Sequence, residues 1–276
     1  MLYYIFTVDG DWKEYFDVSL PEQKRFPKRK QMEELIKREI ILAGRSMNGR
    51  FVHFIHTSPR ARTFFLGEPF IKLWKHIVRK GGDIGVHCHE DDLDKACYFF
   101  KDTSRMGEVI SQQVRMLRKK GLKTRAYRGG YLAFDANLIK ILEENELQFD
   151  LSCEPERYLL HKGQLVSDWR DAPTSLYRMS YDDHRKEGDS DVFEIPIGAS
   201  KGQYLYFEKS GPKELEQVAS DLKDMSEKES RHIIVSVLTH SYEYETADNI
   251  EQVEEKINVL KQYGHFINLK EALKLI

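Results

Sequence analysis

The chain is short of cysteine, of net charge and of long apolar runs, and each shortage excludes something. Its three cysteines are Cys88, Cys97 and Cys153, an odd number with no CxxC pair. That excludes a disulfide framework and predicts reduced thiols, as in a cytoplasmic protein. Lysines and arginines number 43 against 45 aspartates and glutamates, a formal charge of −2. A nucleic-acid-binding domain carries a basic excess, so no nucleic-acid partner is expected. Basic runs such as "KRFPKRK" (24–30) read as solvated faces. No stretch approaches the ~20 consecutive apolar residues that cross a bilayer, so no membrane span is expected. The opening "MLYYIFTVDGDW" lacks a basic start and reaches aspartate by position 9. It reads as a strand, not a signal peptide, and the expected location is the cytoplasm. Repeats, low-complexity tracts and Gly/Ser- or Pro-rich linkers are missing too, so residues 1–276 are expected to form one domain.

What remains is a globular balance, 41% hydrophobic and 32% charged, with apolar material for a large core. Strand-like and helix-like runs alternate. Strands are predicted at 2–9, 50–58, 83–89, 124–131, 148–154, 192–199 and 231–240, with a further short one opening 265–276. Helices are predicted at 30–45, 70–80, 106–120, 135–145 (capped by Asp135), 212–225 and 249–264. Gly81, Gly82 and Gly121 stop two of them. Residues 155–190 are polar and irregular, with "SYDDHRKEGDSD" (180–191) as a surface loop. Seven or eight strand–helix units predict an α/β fold, a closed or nearly closed β/α barrel. In such barrels functional residues gather at the C-terminal ends of the strands.

Four strand ends carry polar residues of interest. The first ends in "TVDGDW", with Asp9 and Asp11 two apart; the third ends in "VHCH", with His87 and His89 two apart. Residues i and i+2 of a strand share a face. The fourth ends in "YRGGY", holding Arg128 and Tyr131, and the seventh in "LTHSYEYE", holding His240. Imidazole and carboxylate suit zinc and similar divalent ions, and catalytic zinc takes three protein ligands. Asp11, His87 and His89 supply three. Asp9 is then a base for water, Arg128 its ionic partner, and His240 an acid for the leaving group. The blander reading makes each a helix cap, a buried structural pair or a surface ion pair; the conjunction at strand ends of one polarity favours a site.

These motifs resemble the NodB-homology polysaccharide deacetylases, carbohydrate esterase family 4. The resemblance rests on "TVDGD" (7–11), "DIGVHCHEDD" (83–92), "RGGY" (128–131), "FDLS" (149–152) and "LTH" (238–240), which match in order and spacing along most of the chain. It implies a distorted (β/α)7 barrel with an irregular insertion at about 155–190. It also implies a metal-dependent hydrolase that removes acetyl groups from an N- or O-acetylated sugar, acting on a non-peptide carbon–nitrogen bond in the N-acetyl case. By resemblance Asp9 is the base, Asp11 and His87 are metal ligands, and Arg128 orients the base. Tyr131 offers a backbone N–H to the oxyanion, His240 is the acid, and Asp150 orients His240. The implied cofactor is a divalent ion, zinc first.

Three departures stand out. Gly10 splits the usual adjacent aspartates, and Gly129–Gly130 replace a Pro-Pro pair. The second histidine ligand is expected at position 91, where Asp91 stands. The third ligand is therefore Asp91 or His89, and the shared strand face favours His89. Specificity is expected in the loops 155–190 and 241–246, where Tyr242 and Tyr244 either stack on a sugar or pack. Two other functions compete: a related hydrolase of a small amide, and a carbohydrate-binding protein that has lost catalysis.

Overall fold

A computed structural model describes residues 1–92 and 97–276, and of Cys97 only the backbone, so the state of that thiol lies outside the described residues. Of the other two cysteines, Cys88 and Cys153 are free and buried.

Seven parallel strands carry the sheet. β1 is Leu2–Asp9, β2 Val52–Thr57, β3 Asp83–Cys88, β4 Ala126–Gly129, β5 Phe149–Asp150, β6 Phe193–Glu194 and β7 Ile233–His240. Every residue of β2 and β7 is buried, and so is nearly all of β1. Covered on both faces, such strands read as continuous apolar runs and not as alternation. The sheet runs β6–β5–β4–β3–β2–β1–β7, with Tyr177–Arg178 antiparallel on the β6 edge and His265–Phe266 also pairing with β1. Two isolated parallel bridges, Ile197 to Ser236 and Tyr206 to Leu238, carry the chain beyond β6 back to β7 and curl the sheet towards a barrel.

Helices lie between the strands: α1 Arg29–Met47, α2 Phe70–Arg79, α3 Thr103–Lys119, α4 Leu138–Glu144, α5 Pro212–Lys228 and α6 Ala247–Leu260. Each presents apolar residues at helical spacing, such as Phe70, Ile71, Trp74 and Ile77 of α2. Asp102 caps α3 by accepting from the Arg105 N–H, and Thr246 caps α6 through the Asn249 N–H.

The expected α/β architecture, a distorted (β/α)7 barrel, is the one observed. Some boundaries differ. Asp135 is not the cap of α4: its Oδ1 accepts from the backbone and side chain of Asn137, one turn before the helix. The strand expected over 148–154 is regular only at Phe149–Asp150, with single backbone bonds continuing from Leu151 to Tyr127 and from Ile197 to Cys153. The segment 155–190, expected to be polar and irregular, is partly ordered and reaches the core. It contains the hairpin Tyr158–His161/Gln164–Asp168 and buries Val166, Trp169, Tyr177 and Met179. Those apolar residues are scattered among polar ones without a helical or strand period, so the pattern hides a core contribution that only long-range packing makes.

Candidate active site and metal centre

Parallel register brings the strand ends to one level. Asp9 is paired with His240, His56 with His87, and His87 with Arg128. Asp9, Asp11, His87, His89, Tyr131 and His240 line one cavity of about 260 Å³, with Phe16, Tyr206, Tyr242, Arg157 and Lys209 also on its wall. All the site residues expected from the sequence are therefore brought together, and Arg128 lies buried behind Asp9.

Asp11 arrives there by a bend, not along a strand face as expected. β1 ends at Asp9, and the Asp11 N–H turns back to the Asp9 carbonyl at 2.7 Å. Gly10 sits in the bend and donates to the Phe54 carbonyl at 2.9 Å. A Cβ there would stand 2.7 Å from that oxygen and 2.9 Å from His53 Nε2, so a second aspartate does not fit. Behind Gly10, His53 Nδ1 is 2.7 Å from Glu39 Oε2, and Ser241 Oγ donates to Glu39 Oε1 at 2.6 Å. Glu39 of α1 thus ties the bend after β1 to the residue following His240. The glycine pair has the same kind of cause: a Cβ on Gly130 would run into the His89 ring and the Cys88 carbonyl.

Three lone-pair atoms converge. Asp11 Oδ2 lies 3.5 Å from His87 Nε2 and 3.5 Å from His89 Nε2, and the two nitrogens are 3.0 Å apart. A tetrahedral zinc site with bonds of about 2.0–2.2 Å spaces its ligands at about 3.3–3.6 Å. His87 Nδ1 lies 3.1 Å from the Arg128 carbonyl, and the neutral tautomer that donates there presents the Nε2 lone pair to His89. Two imidazole nitrogens so close need a proton or a cation between them. Burial alone would lower the pKa of His89, but the nearby Asp11 and Asp91 carboxylates push it up to about 10. Burial opposes ionisation of Asp11, yet the histidines hold it well below the usual carboxylate range. The pocket is negative enough to hold a cation, and the residues present fit a divalent ion.

Asp91 stands behind His89, with Oδ1 3.4 Å from Nδ1, on the side away from the triangle. Sequence reasoning missed His56. With Asp11 and His89 it forms a group whose ligand atoms all lie within 4.8 Å. Its Nδ1, however, is 2.6 Å from Asp11 Oδ1, and burial keeps its pKa down at about 4. A neutral imidazole at that distance donates its proton to the carboxylate. His56 therefore orients Asp11 and leaves Oδ2 for the triangle.

Asp9 is clamped differently. Arg128 Nη1 donates to Asp9 Oδ1 at 2.7 Å and to Thr7 Oγ1 at 2.8 Å, while Nε donates to the Leu151 carbonyl at 2.7 Å. Burial raises the Asp9 pKa, but Arg128, His87 and His240 outweigh it and the net shift is downward. Asp9 Oδ2 stays 3.7 Å from His87 Nε2.

His240 is oriented by Glu208, not by Asp150. Glu208 Oε1 accepts from His240 Nδ1 at 3.1 Å, from the His240 N–H at 2.8 Å and from Thr239 Oγ1 at 3.0 Å. Burial would lower the His240 pKa; Glu208, then Asp9 and Asp11, push it up to about 9. Asp150 lies on β5, across the sheet from β7, where it accepts from Ser152 Oγ at 2.6 Å. Ser152 Oγ in turn accepts from the Gly129 N–H, so Asp150 braces the turn after β4. No motif marks Glu208; it follows Tyr206, whose bridge to Leu238 brings that segment beside β7.

Tyr131 adopts a left-handed backbone (φ 55°), a strained state for a non-glycine residue, and its ring lies 5.3 Å from that of His89. Tyr242 stacks on His240 with centroids 5.0 Å apart and planes at 11°. Tyr244 is buried in the core and takes the packing role of the two considered.

No family model matches the sequence, and no curated protein matches it. Solved structures do. A provisionally assigned polysaccharide deacetylase from Mycobacterium smegmatis is similar over 100% of this chain and 92% of its own, with a TM-score of 0.64 at 13% identity. A second provisionally assigned polysaccharide deacetylase, from Pseudomonas aeruginosa PAO1, is similar over 99% and 90%, with a TM-score of 0.58 at 12% identity. The allantoinase Puue is similar over 99% and 89%, with a TM-score of 0.59 at 12% identity. The fold of this chain is that of the NodB-homology deacetylases.

Proposed function

We propose that the protein is a metal-dependent hydrolase that removes an acetyl group from an N- or O-acetylated sugar. The carrying observation is that two clamped groups stand beside one triangle of ligand atoms: Asp9, held by Arg128, has Oδ2 3.7 Å from His87 Nε2, and His240, held by Glu208, has Nε2 4.0 Å from Asp11 Oδ2. Asp11, His87 and His89 would hold the ion, zinc being the first choice for such donors. When bound, the ion supplies Lewis-acid polarisation of the acyl carbonyl and lowers the pKa of water towards ~7.

The rest is done by the chain. Arg128 occupies Asp9 Oδ1, so Oδ2 is the oxygen that takes a proton from the attacking water. Arg128 also keeps Asp9 ionised at neutral pH, ready to accept. His240, protonated through Glu208, donates from Nε2 to the departing nitrogen or oxygen as the bond to the acyl carbon breaks. The products are acetate and the free amine or alcohol. The Tyr131 backbone N–H is assigned to the oxyanion, and Tyr242 and Tyr206 are walls for the sugar. Acid–base assistance of this kind contributes ~10² to 10⁴ in rate.

A small-amide hydrolase is the second reading, favoured by the modest cavity and by the allantoinase likeness of the fold. A panel of N- and O-acetylated sugars and small cyclic amides, assayed with zinc, separates the readings. Acetate release from a sugar supports the first; turnover of amides alone replaces it with the second; turnover of neither, with sugar binding retained, leaves a binding protein.

A further inference from the structure

Two cations on the wall of the same cavity have no part in that chemistry. Arg157 enters it just before the hairpin Tyr158–His161/Gln164–Asp168, and Lys209 follows Glu208. Both are held by one carboxylate. Glu154, itself buried, accepts from Arg157 Nη1 at 3.0 Å and from Lys209 Nζ at 3.1 Å to each oxygen. Arg157 Nε donates to Ser167 Oγ at 3.0 Å.

One cation neutralises a buried carboxylate; a second leaves a positive charge over. That surplus is at the cavity wall. The Arg157 side chain is 19% exposed and that of Lys209 45%, so the guanidinium is partly desolvated while the ammonium remains reachable. The ammonium lies 4.4 Å from the Tyr206 ring centre, and that ring is 5.8 Å from the ring of His240. An anion at this pair would therefore lie next to the Tyr206 ring, on the stretch of wall that leads to His240. A neutral acetylated sugar gives the surplus charge nothing to bind, whereas an arginine fork beside a lysine point charge suits anionic oxygens.

We propose that the substrate carries a negatively charged oxygen group, a phosphate ester or a carboxylate, and that Arg157 and Lys209 bind it with Glu154 as their brace. This rests on the deacetylase reading for the acyl-bearing sugar. The site then selects a charged, small acylated sugar unit over an uncharged one.

The test uses the full chain loaded with zinc and four probes: N-acetylglucosamine, its 1-phosphate, its 6-phosphate, and N-acetylmuramic acid as the carboxylate. Acetate release is measured with the parent, and binding is measured calorimetrically with Asp9→Asn, at two salt concentrations. The expected result is a preference of about tenfold or more for at least one anionic probe, falling with salt. Arg157→Gln and Lys209→Met should each reduce that ratio, and the double variant should bring it near one. Lys209→Met removes a half-exposed side chain and keeps the test valid if Arg157→Gln fails to fold. Equal turnover and binding of neutral and anionic sugars would overturn the proposal while leaving the deacetylase reading intact. A preference that survives in the double variant would overturn it in favour of direct contact with the metal. Tight binding of an anionic sugar through the two cations, with no acetate released from any probe, would support this inference and sink the deacetylase reading.

Discussion

One wall of the cavity is built from regular strand ends. Asp9, Asp11, His87, His89 and Arg128 stand at or just past the ends of β1, β3 and β4, where parallel pairing places His56 beside His87 and His87 beside Arg128. The rest of the lining comes mainly from chain without regular pairing: Arg157, Tyr206 and Lys209, together with Glu154 that holds the two cations and Glu208 that holds His240 at the end of β7, belong to segments between short strands. The regular wall carries groups whose spacing must hold to within a fraction of an ångström to bind an ion. The irregular wall carries Glu208, which holds the acid, and the groups that meet the rest of the substrate. Sheet register supplies precision without extra residues, and irregular chain supplies shape that changes without disturbing the ligand triangle.

The contrast breaks most visibly at the ligands. His87→Ala and Asp11→Asn should lose bound zinc and all metal-dependent activity, by elemental analysis and acetate release. Asp91→Asn should keep the ion with affinity reduced about 10- to 100-fold, because it supports His89 from behind. Full zinc retention in His87→Ala would remove the triangle from the account.

Next come the two clamped groups beside the triangle. Asp9→Asn and His240→Ala should each keep zinc and lose ~10² to 10⁴ in rate. If His240→Ala works at the parent rate, the irregular wall contributes binding and no chemistry.

A smaller effect tests whether the irregular wall is integral to the core. Trp169, buried with its Nε1 donating to the Leu132 carbonyl at 2.9 Å, should cost about 3–5 kcal/mol as Trp169→Ala in chemical denaturation. Leu160, at 49% exposure on the hairpin, should change stability by no more than ~0.5 kcal/mol as Leu160→Ser. Equal small losses would make 155–190 a detachable loop after all.

Glu208→Gln sharpens the comparison through pH. Glu208 raises the pKa of His240, so His240 stays protonated up to about 9 and deprotonates above it. Removing that charge should move the alkaline limb of kcat/KM to lower pH and cost roughly 10- to 100-fold at neutral pH. Zinc content should be unchanged. An unshifted alkaline limb would assign it to another group.

Much of the regular wall was legible in residue order. β1 and β7 are unbroken apolar runs ending in Asp9 and His240, and a buried parallel strand can hardly read otherwise. Once strand ends are known, a barrel sends their last residues to one mouth, so Asp9, His87, Arg128 and His240 follow from local pattern and one topological rule. Asp11 was placed correctly for an incomplete reason: its position depends on the bend at Gly10, which the Phe54 carbonyl and His53 impose from a neighbouring strand. His56 lay in plain view on β2, but nothing in "VHFIHTS" says that one histidine faces Asp11 and the other Glu39. Glu208, Arg157 and Lys209 carry no local signal at all. Two parallel bridges draw the chain after β6 alongside β7, which sets Glu208 against His240, 32 positions on, and Lys209 against Glu154, 55 positions back, where Arg157 already stands. The sequence by itself determined which strands form and what stands at their ends, since burial and backbone pairing act locally and repeat. Only the tertiary structure decided which carboxylate serves which histidine, because a hydrogen bond of 3 Å is fixed by the packing of segments that the sequence keeps far apart.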